Sequence, residues 1–241
     1  MYKRYSRNCG YSYALGAFPT FELLQNRPEQ VLEVIIHPSF LESTEAIRVQ
    51  SLLASQLPAV PLRIDAKAIQ RLSPKENCYL IGIFATQAPE PLPDASHLLL
   101  VNPMNMGNVG TIMRTMLGFA VRDLVLLQPA MDHWDPRVVR ASMGAIFSLR
   151  IGSCANLAEY LARFPDHAYY PLMLQGRYAL EDAPRSSAAF ALILGNEAHG
   201  LDDAYADLGC SLVIPHAMSI DSLNITVAAG IALESFYRHT K

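Results

Sequence analysis

The chain contains no uninterrupted run of about 18 apolar residues, which excludes an ordinary membrane-spanning helix. Its 51% hydrophobic content therefore serves a core. Met1–Gly10 holds Lys3, Arg4 and Arg7 with no acid and no apolar stretch, so it does not read as a secretory signal, and a cytoplasmic location is expected. Cysteine is scarce and scattered: Cys9, Cys78, Cys154 and Cys210 form no C-x-x-C pair and have no matching histidine spacing. They are expected to be reduced and structural, with no metal centre. Charge of one sign is lacking too. Nineteen basic against 22 acidic residues give a formal net charge of −3, which argues against bulk coating of nucleic acid and leaves room for a local basic groove. Glycine fingerprints are absent as well. Gly107-Asn108-Val109-Gly110 is only G-x-x-G, and no Walker loop, H-E-x-x-H or G-x-S-x-G occurs.

What is present centres on Asn102–Gly118, NPMNMGNVGTIMRTMLG. Leu98–Val101 precedes it and Leu124–Leu127 follows it. Both are short apolar runs of the kind that form fully buried strands of a parallel sheet. Between them Val109, Ile112, Met113, Met116 and Leu117 fall on one helical face. Pro103 stops the first strand, 105–108 makes the turn, and Asn105 or Asn108 caps the helix. Ligands of open α/β sheets bind at the carboxyl ends of the strands, where this turn sits. Arg114 lies off the apolar stripe, either as a snorkelling surface residue or as a functional one.

The remainder alternates. A helix is expected at Phe21–Asn26 and a strand at Val31–Ile36, followed by a helix over Ser43–Leu57 and a strand over Val60–Ile64. A helix capped by Asp65 and a strand at Tyr79–Phe84 complete a small α/β domain over residues 1–90. The three prolines of Gln87–Pro93 form a stiff linker, and a second domain spans 93–241. In it, Asp135-Pro136 opens a short helix with Arg137 and Arg140, and Ala145–Ile151 reads as a strand. A helix over Asn156–Phe164, strands at Tyr169–Leu174, Phe190–Leu194 and Leu212–Ile214, and a final helix capped by Ser222 follow, with a loop over Gly176–Ser187. That last helix carries two apolar stripes, Leu223/Val227/Ile231 and Ile225/Ala229/Ala232/Phe236, and Gly230 in its interior implies a close neighbour. The second stripe is expected to face another subunit.

Three Asn-bearing turns thus stand at the ends of buried strands: Asn105 with Arg114, Gly195-Asn196-Glu197, and Ser222-Leu223-Asn224. In order and spacing they resemble the motifs of the SpoU/TrmH-type RNA ribose methyltransferases of the SPOUT superfamily. NPMNMGNVGTIMRT is similar to the family's Asp-Pro-x-Asn-x-Gly turn and Arg-Thr helix. Gly195–Leu201 is similar to its Gly-Asn-Glu-x-x-Gly-Leu loop, and Ile214-Pro215 with Ser222-Leu223-Asn224 to its third motif. Asp135–Ala145 also resembles the family, and residues 10–90 resemble the small RNA-binding domain that many members carry. Asn102 stands where aspartate is usual, and His216 and Met218 where methionine and glycine are common.

The resemblance implies an α/β fold: a C-terminal trefoil-knotted parallel-sheet domain preceded by a small α/β RNA-binding domain, working as a homodimer through the C-terminal helix. It implies S-adenosylmethionine, without metal, as methyl donor to a ribose 2′-hydroxyl of structured RNA, with rRNA ahead of tRNA. Leu194, Gly195, Asn196, Ile214, Ser222, Leu223 and Asn224 would hold the donor. Arg114, Asn105, Glu197, Ser222 and Asn224 would serve the reaction, with Glu197 orienting Arg114 or accepting a proton, and His199 a surface residue. A guanidinium keeps its proton, so an electrostatic and positioning role suits Arg114. Residues 1–90 would choose the RNA, and a fragment starting near Leu92 would keep the donor site. The alternatives are a knotted RNA-binding protein without turnover and, against the missing glycine fingerprint, a dehydrogenase.

Overall fold

The computed structural model describes residues 2–73, 77–217 and 219–239, so Met218 and its departure from the family pattern lie outside the described residues. The chain divides into two units. The first comprises Met1–Gln87 with Asp132–Ser148, and the second Ala88–Met131 with Leu149–Lys241.

In the first unit β1 (Tyr11–Leu15), α1 (Ala17–Asn26), β2 (Val31–Ile36), α2 (Thr44–Gln56), β3 (Leu62–Ile64), α3 (Ala66–Leu72) and β4 (Leu80–Ala85) follow in sequence. The strands form one sheet in the order β1-β4-β2-β3. The first strand was not legible in the apolar pattern, because only its burial between neighbours makes Tyr13 and Ala14 core residues. Ser43 and Asp65 cap α2 and α3, accepting hydrogen bonds from the backbone N–H groups of Ala46 (3.1 Å) and Ala68 (2.9 Å).

The expected second domain is interrupted. Residues 132–148, with α5 (Pro136–Ala141), belong to the first unit: Phe147 meets Phe84 edge-on at 5.0 Å and Trp134 meets Phe84 at 5.8 Å. Val138, Val139 and Phe147 are buried. Ala145–Ser148 is a 3-10 turn rather than the start of a strand. Gly144, at φ 82° after Met143 at φ 52°, turns the chain there. A fragment beginning at Leu92 would leave these side chains uncovered, and complete burial of each is worth about 1.5–3 kcal/mol. It is expected to aggregate on size-exclusion chromatography, and a soluble, monodisperse fragment would contradict that.

The second unit holds β5 (His97–Val101), α4 (Met106–Gly118), β6 (Asp123–Leu127), β7 (Arg150–Cys154), α6 (Leu157–Arg163), β8 (Ala168–Leu172), β9 (Tyr178–Ala179), β10 (Phe190–Leu194), β11 (Leu212–Val213) and α7 (Ile225–His239). Its seven strands are parallel in the order β7-β6-β5-β10-β8-β11-β9, matching the near-continuous apolar runs. The short β9 lies inside the stretch expected to be only loop. The proline-rich segment docks on this unit instead of hanging free. Pro89 O accepts from Ile151 N at 2.9 Å, and Pro91 lies so close to β7 that a Cβ on Gly152 would stand 2.8 Å from its Cδ. Leu92 N donates to Asp123 Oδ1 at 2.9 Å, and the same buried carboxylate pairs with Arg150.

His97 is fully buried on β5, with Nε2 2.8 Å from Leu92 O and Nδ1 3.0 Å from the Tyr160 hydroxyl. One donated and one accepted bond suit a neutral ring. Burial pulls its pKa down to about 4, with neighbouring His167 pushing the same way and Asp123 against. The unfolded chain, with a histidine pKa of about 6.5, binds this proton more readily. Stability contributed by neutral His97 is therefore present above pH 6.5 and lost as pH falls toward 4, by roughly 3 kcal/mol. Urea unfolding between pH 7 and 4.5 should show that slope in the wild type and a shallower one in His97→Gln.

Candidate functional site

The register of the parallel sheet levels three strand ends. Leu194 of β10 pairs with Leu100 of β5 on one side and Leu172 of β8 on the other, so the turns beyond them emerge along one edge. Asn102 follows β5 at φ 50°, a left-handed conformation that asparagine tolerates well. Its carbonyl accepts from Asn196 Nδ2 at 2.7 Å, so the departure from aspartate fits the turn it makes. Asn105, not Asn108, caps α4: its Oδ1 accepts from Asn108 N at 3.1 Å.

The second turn folds back on itself. Asn196 and Gly200 exchange backbone hydrogen bonds of 3.1 and 2.8 Å, and Asn196 Oδ1 accepts from Ala198 N at 2.8 Å. A Cβ on Gly195 would lie 2.1 Å from the carbonyl carbon of Gly200. Glu197 Oε1 accepts from the backbone N–H of Asn105 at 3.2 Å and from Asn108 Nδ2 at 3.4 Å. The carboxylate therefore complements the amino end of α4 and ties the first two turns together. Within the chain its hydrogen bonds go to Asn105 and Asn108 rather than to Arg114.

In the third turn Ile214 O lies 2.9 Å from His216 Nδ1. Asn224, rather than Ser222, starts the last helix, its Oδ1 accepting from Thr226 N (2.8 Å) and Thr226 Oγ1 (2.7 Å). That helix, α7, packs on α4. Its stripes are the reverse of the expectation. Ala229, Ala232 and Phe236 are buried within the chain, whereas Val227 and Ile231 are 49% and 40% exposed. Gly230 has an intrachain neighbour, Thr115, at ordinary contact distance from where its Cβ would be.

These turns border one cavity of about 740 Å³. Leu194, Gly195, Asn196, Ile214, Ser222, Leu223 and Asn224 all line it, as do Glu197 and Asn108. Sequence reading missed Leu172–Leu174, although the end of a third parallel strand at the same edge was a usable signal. His199, expected on the surface, is exposed and also lines it, as do Asp203 and Asp221. The lining thus contains three carboxylates and neither lysine nor arginine. Asn105 and Arg114 do not border the cavity. Arg114 is exposed, makes no hydrogen bond or ion pair among the described residues, and lies about 13 Å along α4 from Asn105. No group of metal-binding side chains occurs among the described residues, and no helix among them is long and apolar enough to cross a membrane.

An open parallel α/β sheet whose crevice gathers Asn, Gly-Asn-Glu and Ser-Leu-Asn turns defines a class. Residues 95–234 match the SpoU rRNA Methylase family, and the chain belongs to it. It is 30% identical over 172 residues to the 23S rRNA (guanosine(2553)-2'-O)-methyltransferase RlmP of Bacillus subtilis, covering 70% of this chain and 68% of that one. It is 33% identical over 132 residues to the 23S rRNA (adenosine(1067)-2'-O)-methyltransferase of Streptomyces laurentii, covering 53% of this chain and 48% of the relative, about half its length. The crystal structure of an AdoMet-bound rRNA methyltransferase from Sinorhizobium meliloti shares the fold at 23% identity, with a TM-score of 0.80 over 96% of this chain and 88% of that one.

Proposed function

We propose that the chain transfers a methyl group from S-adenosylmethionine to a ribose 2′-hydroxyl of structured RNA, with rRNA ahead of tRNA. The observation that carries this reading is the convergence of the three motif turns on one cavity whose chemistry suits the donor. S-adenosylmethionine bears a sulfonium charge and is a net cation, and the lining offers Glu197, Asp203 and Asp221 with neither lysine nor arginine. Leu194, Ile214 and Leu223 supply apolar walls, and the side-chain-free Gly195 lets the backbone close around a flat group. When bound, the donor supplies an electrophilic methyl carbon. The protein aligns the ribose hydroxyl for in-line attack and stabilises charge developing on its oxygen. Glu197, held by Asn105 N, lines the cavity together with Ser222 and Asn224. Arg114, whose guanidinium has no partner among the described residues, suits an RNA phosphate.

The reading includes a trefoil knot in the C-terminal unit, as the family resemblance implies. The N-terminal unit would choose the RNA, in the cytoplasm. The reading also includes a homodimer. Arg114 lies outside its own chain's cavity, while α7 beside α4 exposes Val227 and Ile231. A second copy covering that stripe would bring one copy's Arg114 to serve the other's site. Val227→Asp would then bury an unpaired charge and should convert the dimer to monomer in light scattering. A monomeric wild type at micromolar concentration would remove the dimer.

The deciding experiment is transfer of labelled methyl from S-adenosylmethionine to rRNA and tRNA from a deletion strain, followed by nucleoside mass spectrometry. A 2′-O-methylated nucleoside in either RNA is the expected result, and absence of label from both would overturn the reading.

A further inference from the structure

We propose that a second cavity, within the N-terminal unit, binds one unstacked nucleotide of the RNA substrate. This rests on the RNA reading above and adds a site separate from the donor cavity. It is a recess of about 210 Å³ at the carboxyl end of β1, bordered by Phe18, Ser73, Asn77, Cys78, Arg140 and Met143.

Three features of its rim are open to a ligand. Phe18, in the first turn of α1, is 54% exposed and makes no ring contact among the described residues. Met143 is 37% exposed and held at φ 52°, a backbone region that costs a non-glycine residue energy. The next residue fixes it there: Gly144 has φ 82°, and a Cβ on it would lie 2.6 Å from Glu22 Cβ. The third is Arg140, exposed, with no partner for its guanidinium among the described residues. Arg137, one turn earlier on the same helix, shows the usual alternative, pairing with Asp135 at 2.9 Å.

The chemistry of the recess selects the occupant. Among the described residues no carboxylate lines it, in contrast to the donor cavity with three. Cys78 lies buried in its wall, and burial pushes its thiol up, keeping it neutral and apolar. An apolar shelf of Phe18 and Met143 beside a guanidinium with no partner among the described residues, with the Asn77 amide near, matches a base with its 5′ or 3′ phosphate. Bases reach such recesses from loops and bulges, where they are already unstacked, and stack on aromatic side chains. A paired helix would present no base to it.

The test uses the full chain and the RNA that it methylates. Phe18→Ala and Arg140→Ala should each weaken RNA affinity, read by fluorescence anisotropy, roughly fivefold or more. The methylation rate at saturating RNA and the donor affinity by calorimetry should remain within about twofold. Arg140→Ala should also reduce the salt dependence of RNA binding by about one phosphate contact, and Phe18→Trp should retain affinity. 2-Aminopurine at the contacted loop position should lose its stacking quench in Phe18→Ala. Unchanged RNA affinity in both alanine variants would overturn the nucleotide site while leaving the methyltransferase reading intact. So would losses that track a fall in Tm and donor affinity. If Phe18→Ala fails to fold, the exposed Arg140 decides the matter. A wild type that methylates no RNA overturns both.

Discussion

Arg114→Ala is expected to slow single-turnover methylation roughly tenfold or more, with donor affinity nearly unchanged. The guanidinium is exposed, has no partner among the described residues and does not border the donor cavity, so its removal disturbs neither the core nor that lining. A charge-assisted hydrogen bond to phosphate or to the reacting oxygen is worth about 1.5–3 kcal/mol, and one completed only in the transition state acts wholly on rate. Arg114→Lys keeps the charge but loses the planar fork, so rescue should be poor if two oxygens are gripped at once. The contrary outcome is plain: alanine at near-wild-type rate, with RNA and donor saturating, makes Arg114 a snorkelling surface residue. Calorimetry with donor alone separates this from an indirect effect.

Gly195→Ala should abolish donor binding. The added methyl would stand 2.1 to 2.4 Å from three backbone atoms of Gly200 and Leu201, and backbone cannot swing aside as a side-chain tip can. Relief requires parting the Asn196–Gly200 hydrogen bonds, which takes Glu197 away from the amino end of α4 and opens the cavity wall. Gly200→Ala is the instructive comparison. Nothing lies within 4 Å of its added Cβ, but its φ of 70° strains any side chain by roughly 1 kcal/mol. Calorimetry should therefore find no binding for the first variant and weakened binding for the second. Donor affinity within tenfold of wild type in Gly195→Ala would show that the loop is softer than its packing implies.

Both predictions draw on residues that stood out before any coordinates. The apolar runs of β5, β6 and β10, the stripe of α4, and the polar turns that follow the strands were legible because periodicity and turn chemistry are local properties. The same is true of the Asp65 and Asp135 caps, each of which bonds the helix it precedes. Local signals also set limits. Ser222 and Asn224 are equally good caps by type, and only the geometry of the chain entering α7 selects Asn224.

Where long-range packing decides, the sequence was silent or misleading. Two apolar stripes on α7 are equivalent on a helical wheel, and which one is covered depends on where α4 lies. Prolines 89, 91 and 93 imply a stiff extended segment in either case, and only the gap above Gly152 turns it into a docked one. The excursion of 132–148 into the N-terminal unit follows from Phe84, a residue some fifty positions away, with rings from both sides of α5 packed against it. By itself, then, the sequence determined the elements and the chemical character of the motif turns, because these arise from residues within a turn or two of one another. Only the tertiary structure decided that Glu197 bonds the amino end of α4 and that an acidic cavity joins the three turns. It also left a phenylalanine, a methionine and an arginine facing a second recess. Such juxtapositions depend on strand register and crossover, which no local pattern encodes.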